Sequence, residues 1–275
     1  MSVRALDELN DLLSRPEGRW TLAEGALVAS RLERPELDRN TVLAHLDELG
    51  VRARAAVGVA WHPRFVAAGI ARVLFDEEGF AAIEPGKETP EALMLDRVLE
   101  TGVGAPVVLS LLFIEIARRA GVRFEPLALP GLALVRHDFG GERFLFDPAR
   151  DATPMTLEEV RRAVSASAKG KVEFREGWLR PVTREQLLAR LIAGLKALYW
   201  RGGNYERALA AIQLMLSIRP DDPREIRDSG RLQFLLGRYR DAIDAFESYL
   251  SHNPHGEDAD AVRMLLLEAR AGLSR

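Results

Sequence analysis

The chain has 275 residues, 47% of them apolar, with 38 lysines and arginines set against 41 aspartates and glutamates. That supplies core for one large domain or two ordinary ones, and the near-balance of charge offers neither a nucleic-acid patch nor a basic membrane anchor. There is no cysteine, which excludes disulfides, thiolate metal sites and every cysteine nucleophile.

The opening "MSVRALDELNDLL" carries acidic residues where a signal peptide needs an unbroken apolar stretch. The longest apolar run, "VGAPVVLSLLFIEIA", is interrupted by Glu115 and is shorter than the roughly 20 residues of a membrane span. A cytoplasmic protein without membrane attachment is expected.

Helical patterns fill the first hundred residues. Thr21 and Glu24 form a capping box ahead of "LAEGALVASRL". Asp38 is placed to cap "RNTVLAHLDELG", whose Leu43, Leu46 and Leu49 recur at helical spacing, and Gly50 reads as its stop. "RFVAAGIARVLFDEEGF" follows, then "TPEALMLDRVLETG", with Thr89 as cap and Pro90 at the first helical position, where its missing amide costs nothing. Residues 106–120, "PVVLSLLFIEIARRA", are apolar nearly all round and predict a buried central helix ending at Gly121.

Three strand-like runs come next, "VRFEPLAL", "GLALVRH" and "ERFLFD", the last two joined by the hairpin signal "DFGG". A buried helix followed by antiparallel strands is an α+β arrangement. Helix returns at Thr156, with Glu159 completing a second capping box, and "SASAKGKVEFREGWLRPVT" reads as a polar linker. A second domain then begins near Thr183.

That second domain repeats itself. Gly203 and Gly237, Tyr205 and Tyr239, Ala208 and Ala242, Leu216 and Leu250, and Pro220 and Pro254 are each 34 residues apart, the tetratricopeptide period. Asp222, Pro223 and Glu225 restart the chain as cap, first turn and capping-box partner, and "DADAVRMLLLEARAGL" has the place of a capping helix. The expected domains are 1–180, helical then α+β, and 181–275, an all-α array of two repeats plus the capping helix.

Taken in order, "LAEGALVASRLERPELD", "VLFDEEGF", the central helix with "ARRAG", "LPG…LVR", "FDP" and the repeats resemble bacterial transglutaminase-like proteins of the SirB group. The resemblance implies a helical N-terminal segment and a papain-like transglutaminase core ahead of the tetratricopeptide repeats. A site of that type needs a nucleophile at the start of the central helix, a histidine on an adjacent strand and a carboxylate on the next. The resemblance places Val108 at the nucleophile position, where the group has serine, and Leu132 at the histidine position. Only Asp147 matches the carboxylate. The group's Asn-Ser-Tyr-Leu stretch is replaced by "TPEALML".

Other residues compete for a chemical role. Ser110 lies two residues, about 200°, round the helix from Val108, and its hydroxyl is expected to bond the carbonyl four residues back. His137 is five residues beyond Leu132 and so on the opposite strand face, read as a solvated turn histidine. Glu115 is expected to pair with Arg118 or Arg119, and Asp147 to cap the turn at Pro148. His252 and His255 flank a turn and lack a third ligand, and His45 and His62 are isolated. No metal or cofactor is expected.

The departures imply a non-catalytic transglutaminase-like protein, active in protein–protein interaction through its repeats or with those repeats docked on its own core. The alternative is an amidohydrolase or acyltransferase using Ser110 or an activated water with Asp147 or Glu115. Partner identity and oligomeric state are not legible in the sequence.

Overall fold

A computed structural model of the chain describes residues 2–16, 19–168 and 172–273; Lys169, Gly170 and Lys171 of the expected linker lie outside the described residues. The polypeptide divides into two compact units, one of Met1–Pro16, Arg31–Pro35 and Ile192–Arg275, the other of Glu17–Ser30 and Glu36–Leu191. The division therefore differs from a single cut at 180/181. Helix α1 (Ser2–Ser14) belongs with the repeats, burying Leu9 and Leu12 completely. Buried Arg31 binds Glu8 at 2.8 Å, and Arg207 reaches Glu33 at 2.8 Å, which holds residues 31–35 to the same unit. An amphipathic pattern states that a face is buried but not against what.

In the other unit, α2 (Leu22–Ser30) opens on the expected capping box, with Thr21 N donating to Glu24 Oε2 at 2.7 Å and Glu24 N to Thr21 Oγ1 at 3.2 Å. Helix α3 (Arg39–Val57) is capped by Asp38, which accepts from Asn40 N at 3.0 Å. It does not stop at Gly50. It runs on to Gly58, whose φ of 56° ends it, while Gly50 lies where α3 meets the central helix, with Arg119 Cβ occupying the space a Cβ would need.

Helix α4 (Pro63–Ala71) is capped by His62 and continues into a π-helical turn over Arg72–Glu77. Strand β1 (Ala81–Ala82) follows. The helix expected from Thr89 and Pro90 is broken into a 3₁₀ turn, Glu91–Leu93, and α5 (Leu95–Thr101). The physical reason is long-range: the Ala92 carbonyl, which a continuous helix would spend four residues on, accepts from Ala105 N at 2.7 Å. Strand β2 (Val103–Gly104) pairs in parallel with β1.

Helix α6 (Pro106–Arg119) is buried from Val107 through Ala117, as its all-round apolar sequence predicts. It packs on an antiparallel sheet of order β3 (Glu125–Leu129), β4 (Leu132–Phe139), β5 (Glu142–Asp147) and β6 (Thr153–Met155). Gly140 and Gly141, with φ of 61° and 82°, make the β4–β5 turn, which needs two residues in the left-handed region. Both edges carry proline, Pro126 and Pro154, and Val182 N donates to Pro126 O at 2.9 Å, so the edges are blunted against further strand pairing.

Alternation gives the sheet two faces. Val135 pairs with Phe146 and His137 with Phe144, and this face meets α6 through Phe124, whose ring lies 5.1 Å from Phe113 and 5.8 Å from Phe146. Leu127, Leu129, Leu134 and Leu145 point the other way and pack with Val160 and Val164 of α7 (Leu157–Ser167). The described part of the expected linker is not merely polar, since Leu179 joins that cluster and Phe174 and Trp178 pack against it.

Helix α8 (Arg184–Arg201) starts at the predicted place, with Thr183 and Gln186 bonded reciprocally, and spans the division between the units. Helices α9 (Tyr205–Ile218), α10 (Pro223–Leu235), α11 (Tyr239–His252) and α12 (Ala259–Leu273) complete the repeat region. Helix α9 packs on α1. Ala208 and Ala242 are fully buried, as the repeat pattern requires. Asp222 caps α10 through Arg224 N at 3.0 Å, but Glu225 is no capping-box partner: it binds Lys196 Nζ at 2.8 and 2.9 Å. Helix α12 closes on α11, with Val262, Leu266 and Ala269 against Phe246 and Tyr249.

Candidate functional site

The start of α6 is where the sequence reading looks for chemistry. Pro106 holds the first turn and Ala105 precedes it without a side-chain cap. Val108 is fully buried, and nothing on its side chain can donate, accept or attack. Ser110, also buried, does not bond the carbonyl four residues back. Its hydroxyl donates to the Ala133 carbonyl on β4, because the sheet lies close enough to offer a better-placed acceptor than the helix's own engaged carbonyls.

Leu132 does not meet Val108. It shares a strand face with Leu134 and with Arg136, whose guanidinium donates to Leu179 O at 2.9 Å, and it packs against the Leu127, Leu129 and Leu145 cluster. That face is turned to α7, whereas α6 covers the opposite one. Asp147 shares the α7-side face by alternation with Leu145. It is buried, and its carboxylate accepts from Ala149 N at 3.0 Å, the turn-capping role expected of it. Burial pushes the Asp147 carboxyl above the usual carboxylate range, against the opposing pull of the Ala149 amide and Arg150.

His137 lies on the α6 side, but it is no solvated turn residue. Strand β4 runs two residues past it, its Nδ1 lies 2.7 Å from Arg123 O, and its ring rests 5.1 Å from that of Phe124. Glu115 is fully buried and binds both of its expected partners, Arg118 at 3.1 Å and Arg119 at 2.5 Å. Arg119 also reaches Asp47 on α3 at 2.7 Å, a link 72 residues long that no local pattern could disclose. His252 Nδ1 lies 2.9 Å from Ser248 O in its own helix. Among the described residues no group of three or more histidines, cysteines or carboxylates is placed to hold a metal.

Arg190 escaped the sequence reading altogether. Its guanidinium donates to Leu129 O at 2.9 Å, at the hairpin that carries Leu132, and burial lowers its pKa from the ordinary arginine value. The signal was unreadable locally, since 61 residues separate donor from acceptor. A cleft of about 750 Å³ opens at the far end of α6, lined by Glu115, Arg118, Phe124, Glu125, Thr183 and Glu185 among others. None of Val108, Ser110, Leu132 and Asp147 lines it.

Asp147 supports a pH prediction. Its folded pKa is raised above the unfolded value near 3.8, so its contribution is most favourable below that value and is lost as pH rises through the folded pKa. Asp147→Asn keeps an acceptor for Ala149 N and removes the buried charge. The variant is expected to melt above the wild type at neutral pH, with the difference shrinking as both are acidified. Thermal melts across a pH series check this, and an advantage that grew on acidification would contradict it.

The transglutaminase-like superfamily matches residues 40–193 and the tetratricopeptide repeat residues 195–267. A "UPF0162 protein" of Xylella fastidiosa is 27% identical over 94% of this chain and 93% of its own length. Protein SirB1 of Salmonella typhimurium is 23% identical over 88% of this chain and 90% of its own. Among solved structures, menin, in a crystal structure that reveals its binding site for Mixed Lineage Leukemia (MLL) protein, aligns with a TM-score of 0.40 at 14% identity, covering 89% of this chain and 68% of menin.

Proposed function

Since the chain belongs to the transglutaminase-like superfamily and carries tetratricopeptide repeats, we propose that it is a non-catalytic member that works by binding a protein or peptide through the repeat unit. The observation that carries this reading is the closure of every position at which the superfamily's chemistry would sit. Val108 is buried and inert, Ser110 spends its proton on Ala133 O, Leu132 lies in an apolar cluster, and Asp147 is held by Ala149 N. Attack by Ser110 would first require breaking a buried hydrogen bond and then a base, whereas the atom its hydroxyl meets is a backbone carbonyl.

Tetratricopeptide repeats commonly mediate protein–protein interaction, and this repeat unit exposes Leu235, Met264 and Leu267. Large apolar side chains left in solvent on an array that otherwise buries them suit a partner's apolar anchors. No helix among the described residues is long and apolar enough to cross a membrane.

The test uses the full chain. Wild type and Ser110→Ala are both expected to leave amide and amine-acceptor substrates unturned and to retain the same partner from source-cell lysate. Met264→Glu with Leu267→Glu should lose that partner while keeping the wild-type circular dichroism spectrum. Turnover by wild type that vanishes in Ser110→Ala would overturn the non-catalytic reading, and retention by the double variant would overturn the assignment to the repeats.

A further inference from the structure

Between α3 and α4, and at the tip of the β4–β5 hairpin, the transglutaminase-like unit gathers apolar side chains that its core does not use. Val59 is 98% exposed, Trp61 and Phe65 69% each, and Phe139 36%. They are no scatter of single residues. The Trp61 ring lies 5.3 Å from Phe139, while His62 sits 5.9 Å from Phe65 and 5.2 Å from Phe144, so two loop tips share one aromatic surface.

This surface is built rigidly. His62 caps α4 through Arg64 N at 3.3 Å, and Pro63 fixes the first helical turn. Phe139 and Phe144 are held by the antiparallel pairing of β4 and β5. The backbone that carries the aromatic side chains is thus set before anything meets them, which lowers the entropic cost of an encounter.

We infer that the surface of Val59, Trp61, Phe65 and Phe139 is a self-association interface that takes a second copy of this chain. Two features choose this occupant. The first is area. With an aromatic side chain worth about 150–250 Å², the exposed parts of Trp61, Phe65 and Phe139 amount to roughly 350 Å², and Val59, two residues before Trp61, brings the patch to the order of 500 Å², near the top of the range for a monomer's largest apolar patch. A stable interface takes about 800 Å² from each partner, of which about 65% is apolar at its core, again roughly 500 Å². The second is charge. The rim exposes Arg64 of α4 and Glu142, the partner of Phe139 across the hairpin, so both signs are present and a two-fold arrangement can set one against the other. An anionic lipid surface would instead call for a rim of one sign.

The inference is independent of the repeat unit's partner, because association through this surface holds or fails whatever the repeats bind. Sedimentation velocity of the full chain across a wide concentration range is expected to show a monomer–dimer equilibrium. Trp61→Ser and Phe65→Ser, both at exposed positions and so compatible with an unchanged fold, should each weaken it by roughly tenfold or more. Mixing wild type with Trp61→Ser should give an intermediate affinity, because each copy lends the same patch. A wild type that stays monomeric at every concentration would overturn the inference. So would substituted chains that dimerise like the wild type, or a monomeric wild type that binds phosphatidylcholine vesicles through Trp61.

Discussion

Replacing Gly50 by valine is expected to unfold the unit that carries the transglutaminase-like fold, and replacing it by alanine to destabilise that unit measurably. The position is inside α3, where alanine would ordinarily gain about 1 kcal/mol over glycine in helix propensity. Here a Cβ would fall on Arg119 Cβ, and Arg119 cannot retreat freely, being tied to Glu115 and to Asp47. Overpacking of this kind costs about 1–3 kcal/mol for small additions, so the clash outweighs the propensity. Valine adds two methyls and helix-disfavouring branching, and the sum is a large share of a stability of about 5–15 kcal/mol. Urea denaturation followed by circular dichroism reads both variants. An alanine variant at least as stable as the wild type would show that the helices do not need this close approach.

Removing residues 1–16 is the second change of large effect. It strips α1 from α9 and uncovers the surface that Leu9 and Leu12 bury. Leu9→Ala is the milder version, with an expected cost of about 2–5 kcal/mol for a large-to-small change at a fully buried site. Loss of amide-exchange protection should concentrate in α9 and its neighbours in the repeat unit. Unchanged protection of α9 would mean that the repeats stand without the N-terminal helix. The outcome bears directly on where this protein can be cut, because residues 181–275 alone omit both α1 and the Arg31–Pro35 segment that Glu8 and Arg207 hold.

Much of the fold was legible because its signals are local. The Thr21–Glu24 and Thr156–Glu159 capping boxes, the Asp38 and Asp222 caps and the Gly140–Gly141 turn each depend on residues within a few positions of one another. The 34-residue repeat is longer, but it is periodic and can be counted. The α+β order of buried helix then antiparallel strands followed from the change in hydrophobic period between residues 106–120 and 125–147.

The failures share one cause. Gly50 looked like a stop because a glycine after a leucine series has that meaning locally, and only Arg119, far along the chain, gives it another. The break of the Thr89 helix is dictated by Ala105 N, and Glu225 was drawn from its capping box by Lys196. Ser110 turned from its own helix to Ala133 O for the same reason.

That Val108 and Leu132 carry no reactive atom follows from the residue types alone, because the chemistry of a side chain does not depend on its neighbours. The capping signals, the strand alternation and the repeat period are likewise written in the order of residues. That Leu132 faces α7 rather than α6, that Ser110 bonds Ala133 O, and that the first helix sits with the repeats came only from the folded chain. Those outcomes are settled by which surfaces meet across long stretches of chain, and a local pattern declares that a face is buried without saying what buries it.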